Sequence, residues 1–194
     1  MKNASEIKEE IKRMISWMAN QKLDNHQIEE VVKVIFQFEK RIFVTGVGRS
    51  GKVAESFAMR LAQLGYDTRV LGEPTAPPVE KGDLFIAISG GGEHRVIQSK
   101  IAKEIGAKII AITSQKKSPL AQLADIILVI PGRTKEESIS SRYEERRMRG
   151  LPVFPLGTAF EDFSMIVLDA IISHLAVMKK KTEEDLRKRH AKPQ

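Results

Sequence analysis

Cysteine is absent from the 194-residue sequence, so neither a disulfide nor a thiolate nucleophile contributes to its structure or chemistry. Aromatic side chains are scarce, with one Trp, two Tyr and eight Phe. A platform for stacking bases is therefore not expected, which argues against nucleic acid as a partner although the net charge is +7. No apolar run approaches the roughly 18 residues that a membrane-spanning helix needs, and the charged N-terminus is unlike a secretory signal. These absences predict a cytoplasmic protein without a membrane partner.

The composition is otherwise that of an ordinary globular protein. Hydrophobic residues make up 42% and charged residues 29% of the chain, whose length suits one domain. The positive net charge is compatible with a small anionic ligand, and also with solvated helix faces, because many basic residues stand beside acidic ones.

Strands and helices alternate from residue 41 onwards. Short, uniformly apolar runs predict five buried strands, and helices with one apolar face separate them; the runs are 42–44, 68–71, 84–88, 109–112 and 126–130. Such runs are typical of a parallel sheet that is covered on both faces. The sequence therefore predicts an α/β fold with a doubly wound five-stranded parallel sheet flanked by helices, in the flavodoxin or Rossmann-like class.

Helical segments flank this unit. An N-terminal pair of helices is predicted by apolar residues at helical spacing, and residues 1–40 are expected to pack on the core or at a subunit interface. Residues 41–178 are expected to form the α/β domain, with a last helix at about 158–178. Residues 179–194 are expected to form a charged tail.

The first predicted strand ends in a glycine-rich turn, residues 46–51, which we call the first glycine turn. It reads Gly-Val-Gly-Arg-Ser-Gly and matches G-x-G-x-x-G between a strand and a helix. Glycine lets the backbone turn sharply, and the amides at the helix start then bind an anion, usually a phosphate. A dinucleotide is an alternative ligand, with Glu73 as the acid near the second strand. A P-loop is set aside because Val53 replaces the hydroxyl that would bind magnesium.

The third strand also ends in such a segment, residues 89–93, which we call the second glycine turn. It reads Ser-Gly-Gly-Gly-Glu, and His94 follows it. Because neighbouring parallel strands end at the same edge of a sheet, the two turns are expected to form one crevice. The hydroxyls expected to converge there are those of Ser50, Ser89, Thr113 and Ser114. One phosphate cradle with several hydroxyl partners favours a sugar phosphate.

Motifs across nearly the whole chain resemble the SIS (sugar isomerase) domain family, and within it the 6-phospho-3-hexuloisomerases. They include the first glycine turn, Ala87-Ile88-Ser89-Gly90, Pro131-Gly132-Arg133-Thr134, Gly157-Thr158-Ala159-Phe160-Glu161 and Arg189-His190-Ala191. The resemblance implies interconversion of a 3-hexulose 6-phosphate and fructose 6-phosphate, as in the ribulose monophosphate pathway. It also implies a homo-oligomer, a tetramer or a dimer, and no metal or organic cofactor.

The resemblance further implies roles for single residues. Glu161 is expected to be the catalytic base, and His190 is expected to enter a neighbouring subunit's site and stabilise the enediolate oxygen. The residues expected to bind the phosphosugar are Gly48, Arg49, Ser50, Gly51, Ser89, Gly90, Gly91, Gly92, Glu93, His94, Thr113 and Arg133.

Three positions differ from the family pattern. Gly91 and His94 stand where the family usually has serine and threonine, and Phe154 stands where it commonly has glutamine. Two hydroxyls and one amide are therefore absent, which leaves the exact phosphosugar open. The alternatives are a non-catalytic sugar-phosphate-binding protein and an isomerase of a different phosphosugar.

Overall fold

A five-stranded parallel sheet forms the centre of the computed structural model, which describes residues 4–132, 145, 148–155 and 158–189. The strands are β1 (Ile42–Gly46), β2 (Thr68–Val70), β3 (Leu84–Ile88), β4 (Lys108–Thr113) and β5 (Ile126–Val129). Their order in the sheet is β2-β1-β3-β4-β5, and every pairing is parallel. The predicted doubly wound sheet is thereby confirmed.

The helices are α1 (Ala4–Ala19), α2 (Asn25–Phe36), α3 (Arg49–Leu64), α4 (Val96–Ile105), α5 (Pro119–Leu123), α6 (Thr158–Met178) and α7 (Glu183–Lys188). Local sequence signals fix several of their ends. The Asp24 side chain accepts hydrogen bonds from the first amides of α2, and Ser118 does the same for α5. Gly65 and Gly106 end α3 and α4 in the left-handed conformation.

Alternate residues of the strands feed two apolar layers, one on each face of the sheet. On one face, residues such as Ile42, Val44 and Ile86 pack with α2, α3 and α6. On the other face, Phe43 and Phe85 pack with α4 and α5. Burial on both faces explains why the strands read as continuous apolar runs rather than as an alternation.

The N-terminal helices are held to the rest of the chain by buried apolar side chains of α2 and by polar and aromatic contacts. The Gln27 side chain of α2 accepts a hydrogen bond of 2.8 Å from the backbone N–H of Val129 in β5. Trp17 of α1 meets Phe154 edge-on, with ring centroids 5.2 Å apart. None of the helices in the described part of the chain is long and apolar enough to cross a membrane.

The prediction that α6 is the last helix was wrong, because α7 follows it within the charged tail. Thr182 and Asp185 form a reciprocal capping box that starts α7. This signal is present in the sequence, but the segment that follows it is short and polar and has no apolar face that would indicate a helix. The guanidinium of Arg189, just after α7, packs over Gly65 at the C-terminal end of α3.

Candidate functional site

The two glycine turns lie side by side at the carboxyl edge of the sheet. The strand order reverses between β1 and β3, and these two strands pair in register up to Gly46 and Ile88. The first glycine turn follows Gly46 and the second follows Ile88. This reversal point is where open α/β sheets form a ligand crevice outside their strand ends.

The first glycine turn leads directly into α3. A Cβ at Gly46 would approach the backbone of Ser50 too closely, so the turn requires glycine there. Gly48 is the N-cap of α3 and makes no side-chain capping hydrogen bond. The first amides of a 16-residue helix are thus left without a side-chain cap, and the helix dipole adds a partial positive charge at the same place.

The second glycine turn is folded on itself. The Gly92 amide donates to the backbone carbonyl and to the hydroxyl of Ser89, both at 3.1 Å. The Gly90 carbonyl accepts from the Thr113 hydroxyl at 3.0 Å and from the Ser114 hydroxyl at 2.8 Å. Two hydroxyls that were expected from the sequence to face a ligand therefore donate their hydrogen bonds to this turn instead.

Gly92 has a conformation and surroundings that only glycine tolerates. Its φ is +70°, and a Cβ there would overlap the hydroxyl of Ser118 and lie 3.2 Å from Thr113 Oγ1. The turn can therefore pack closely against β4 and α5 only because Gly92 has no side chain.

The first turn of α6 joins the two glycine turns. The Ser50 hydroxyl donates to Glu161 Oε1 at 3.1 Å, and Arg49 forms a 2.8 Å ion pair with Asp162. The ring of Phe160 packs so closely on Gly90 that a Cβ there would lie 3.0 Å from it. Glu161 is thus held beside the first turn, while the residue before it packs on the second.

Arg95 connects the two turns directly, and the sequence analysis did not single it out. Its Nε and one terminal nitrogen donate to the Gly46 carbonyl at 3.4 and 3.2 Å. Its φ of 65° is uncommon for a residue with a side chain. Neither the conformation nor the contact has a local sequence signal, since the partner lies 49 residues away.

The remaining predicted residues differ in their surroundings. Glu93 and His94 are exposed, and Gly91 is half-buried at the same turn. Phe154, which stands where the family commonly has glutamine, is buried in the apolar core against Trp17. Arg133 and His190 lie outside the described residues. Within the described ranges, no group of three or more His, Asp or Glu side chains could hold a metal ion.

Comparison with known proteins identifies one family. The SIS domain family model matches residues 35–144. A 3-hexulose-6-phosphate isomerase from Methylomonas aminofaciens is 39% identical over 153 residues, which cover 78% of this chain and 79% of that protein. A 3-hexulose-6-phosphate isomerase from Bacillus subtilis is 32% identical over 189 residues, which cover 96% of this chain and 95% of that protein.

A solved structure of a related protein has the same fold. A protein from Methanococcus jannaschii superposes with a TM-score of 0.76 at 30% sequence identity, over 98% of this chain and 99% of its own. Its description infers a molecular function of 3-hexulose-6-phosphate isomerase.

Proposed function

The chain belongs to the SIS domain family, and we propose that it is a sugar-phosphate isomerase that interconverts a 3-hexulose 6-phosphate and fructose 6-phosphate. The observation that carries the proposal is the contact between Ser50 and Glu161. This contact holds a carboxylate suited to proton transfer at the edge of the sheet where the two glycine turns lie. Turns of this kind bind anions.

The phosphate of the substrate would lie between the two glycine turns. The amides at the start of α3 have no side-chain cap, and a dianion at that edge would be stabilised by them and by the helix dipole. Successive amides of the second turn would add donors, although the Gly92 amide is already bound to Ser89. The residues proposed to contact the phosphosugar are Gly48, Arg49, Ser50, Gly51, Ser89, Gly90, Gly91, Gly92, Glu93, His94, Thr113 and Arg133.

Isomerisation then needs one base that moves a proton between two carbons. Glu161 would remove the proton on C3 of fructose 6-phosphate, and the electron pair of that C–H bond would form the C2–C3 double bond while the C2 carbonyl electrons move to O2. In the resulting enediolate the proton on O3 passes to O2, and the electron pair left on O3 forms the carbonyl at C3. The proton held by Glu161 returns to C2, so no external oxidant or reductant is consumed.

His190 is proposed to assist this reaction in a neighbouring subunit. Arg189, the residue before it, packs over Gly65 at the far end of α3. The 16 residues of α3 span roughly 24 Å, so Arg189 is a helix length away from Ser50 and the Glu161 bound to it. This distance supports the proposal that His190 acts in the crevice of another subunit.

An oligomer is therefore part of the proposal. Ile7, Ile11 and Ile15 recur every four residues on α1 and are each about half exposed. An apolar stripe of this kind on a short helix is suited to burial against a second copy of the chain.

The test is product analysis with fructose 6-phosphate as the substrate. Nuclear magnetic resonance of ¹³C-labelled material would reveal a 3-keto sugar phosphate, with arabinose 5-phosphate and glucose 6-phosphate as comparison substrates. Formation of the 3-keto product supports the proposal. Turnover restricted to an aldose–ketose pair would assign another isomerase, and thermal stabilisation by sugar phosphates without turnover would assign a binding protein. Stabilisation by NAD or NADP alone would favour the dinucleotide alternative.

A further inference from the structure

Three cations stand in or beside the two glycine turns, and they differ in whether a carboxylate neutralises them. Arg49 pairs with Asp162 at 2.8 Å, and Lys52 pairs with Glu55 at 2.8 Å. Arg95 has no carboxylate within ion-pair distance among the residues that the structure describes. Of these three cations, Arg95 is therefore the one whose charge no described carboxylate neutralises.

The Arg95 side chain is also fixed in place. It is half-buried, and two of its N–H groups are used on the Gly46 carbonyl. A guanidinium has five N–H groups in a planar fork, so three have no partner among the described residues. Because Arg95 follows the second glycine turn and its guanidinium contacts Gly46 of the first, this guanidinium lies at the junction of the two turns.

Three hydroxyl groups around the crevice already donate hydrogen bonds within the protein, so they are not free to donate to a phosphate. The Ser50 hydroxyl donates to Glu161, and those of Thr113 and Ser114 donate to the Gly90 carbonyl. A phosphate dianion is thus left with backbone amides, the Ser89 hydroxyl and a cation, and a guanidinium binds phosphate oxygens in bidentate fashion.

The backbone of Arg95 is a further sign of a specialised position. Its φ of 65° is left-handed, which costs a residue with a side chain free energy that glycine would not lose. No side chain caps α4, which begins immediately after this residue. Strained residues of this kind cluster at ligand-binding sites, where the surrounding contacts hold them in place.

We propose that Arg95 binds the phosphate group of the substrate at the junction of the two glycine turns, while its other N–H groups hold the Gly46 carbonyl. The identity of the substrate rests on the proposed function. The binding of a phosphate by Arg95 is tested independently of that function, with inorganic phosphate.

The direct test is calorimetric titration of the full chain with inorganic phosphate and with fructose 6-phosphate. The variant R95M removes the charge and keeps much of the side-chain length, and K100M is the matched control, since Lys100 is exposed one turn further along α4. We expect R95M to lose at least about tenfold in affinity for both ligands, because charge-assisted hydrogen bonds are lost. K100M should bind both within about twofold of the parent chain, as expected for a screened surface charge.

Kinetics separate binding from a merely structural role. In R95M the KM for fructose 6-phosphate should rise by at least about tenfold while kcat changes much less, and R95K should recover part of the loss as a point charge. If R95M does not unfold cooperatively, R95Q makes the same comparison, and R95K still serves as the variant that keeps the charge.

Three results would overturn the inference: unchanged phosphate affinity in R95M, a fall in kcat with an unchanged KM, or no binding of inorganic phosphate by the parent chain. Phosphate affinity that depends on Arg95 in a chain without isomerase activity would support the inference and refute the proposed function instead.

Discussion

The Ser50 hydroxyl donates a hydrogen bond of 3.1 Å to Glu161 Oε1, and this contact joins the first turn of α3 to the first turn of α6. Ser50 is only 7% exposed, so water competes little for the bond. The neighbouring pair, Arg49 and Asp162, reinforces the same junction. In the proposed mechanism, Ser50 is a positioning residue: it orients one carboxylate oxygen of Glu161, and the other, Oε2, exchanges a proton with the substrate.

Replacing Ser50 by alanine tests this positioning role. Without the hydrogen bond the carboxylate samples more orientations, and we expect kcat to fall by about tenfold with little change in KM. Steady-state kinetics with fructose 6-phosphate measure both parameters. The matched control is Ser99→Ala, which removes a buried hydroxyl on α4 that has no hydrogen-bond partner among the residues that the structure describes. A rise in KM alone in Ser50→Ala would show instead that the hydroxyl binds the substrate.

Gly92 allows a stability test of the second glycine turn. Gly92→Ala combines an unfavourable φ with overlap of the new Cβ and the Ser118 hydroxyl, whereas Gly72→Ala has a φ of +101° and open space around the Cβ. We expect Gly72→Ala to cost about 1 kcal/mol and Gly92→Ala about 2 kcal/mol more, because overpacking adds to the strain. Urea unfolding of both variants measures the difference. Equal losses of stability would show that the turn relaxes around the added methyl group.

Mixing two inactive variants tests the proposed use of His190 between subunits. Glu161→Gln and His190→Ala each remove one group, but an assembly containing both chains can combine an intact Glu161 with an intact His190 at one of its sites. Co-refolded mixtures should regain about a quarter of the parent activity if subunits pair at random. Light scattering of the parent chain gives the oligomeric state in the same preparation. Inactive mixtures from a chain that does form oligomers would contradict catalysis across subunits.

Asp125 provides a prediction on pH dependence away from the crevice. Burial works against its ionisation, but hydrogen bonds from the Lys103 ammonium and from the Ile109 N–H outweigh burial and lower the pKa of its carboxyl from 3.8. A pKa that is lower in the folded than in the unfolded chain stabilises the fold above the unfolded value, and this contribution is lost as the pH falls through the folded value.

Asp125→Asn should therefore lower the free energy of unfolding at pH 7 by about 1 kcal/mol, a magnitude reduced by partial exposure of the ion pair. The difference from the parent chain should shrink as the pH falls below 3.8. Urea unfolding across this pH range measures it, with the exposed Glu55→Gln as a control expected to change stability by less than about 0.5 kcal/mol. A difference that grows on acidification would be inconsistent with a lowered pKa.

Local patterns were sufficient to predict most of the architecture. The apolar runs of β1, β3 and β4 follow from burial on both faces, and the ends of α2 and α5 follow from the capping residues Asp24 and Ser118. The position of the crevice also followed from the sequence, because two glycine-rich segments after neighbouring parallel strands meet at one edge.

Hydrogen bonding within the crevice was beyond the reach of sequence analysis. The sequence suggested that the hydroxyls of Thr113 and Ser114 face a ligand, but both satisfy the Gly90 carbonyl, which would otherwise be an unpaired polar group. Ser50 and Glu161 are 111 residues apart, and Arg95 reaches its partner across 49. Such contacts are set by tertiary packing and leave no periodicity or local motif in the sequence.

Proton exchange in D₂O is the most direct test of the proposed isomerisation. The chain is incubated with fructose 6-phosphate, and nuclear magnetic resonance locates the deuterium that each compound acquires, for the parent chain and for Glu161→Gln. A base at Glu161 that works through a C2–C3 enediolate places deuterium at C3 of fructose 6-phosphate and at C2 of the 3-keto product, and the folded Glu161→Gln variant incorporates none. Deuterium at C1 alone, or exchange by Glu161→Gln at the parent rate, would contradict the account.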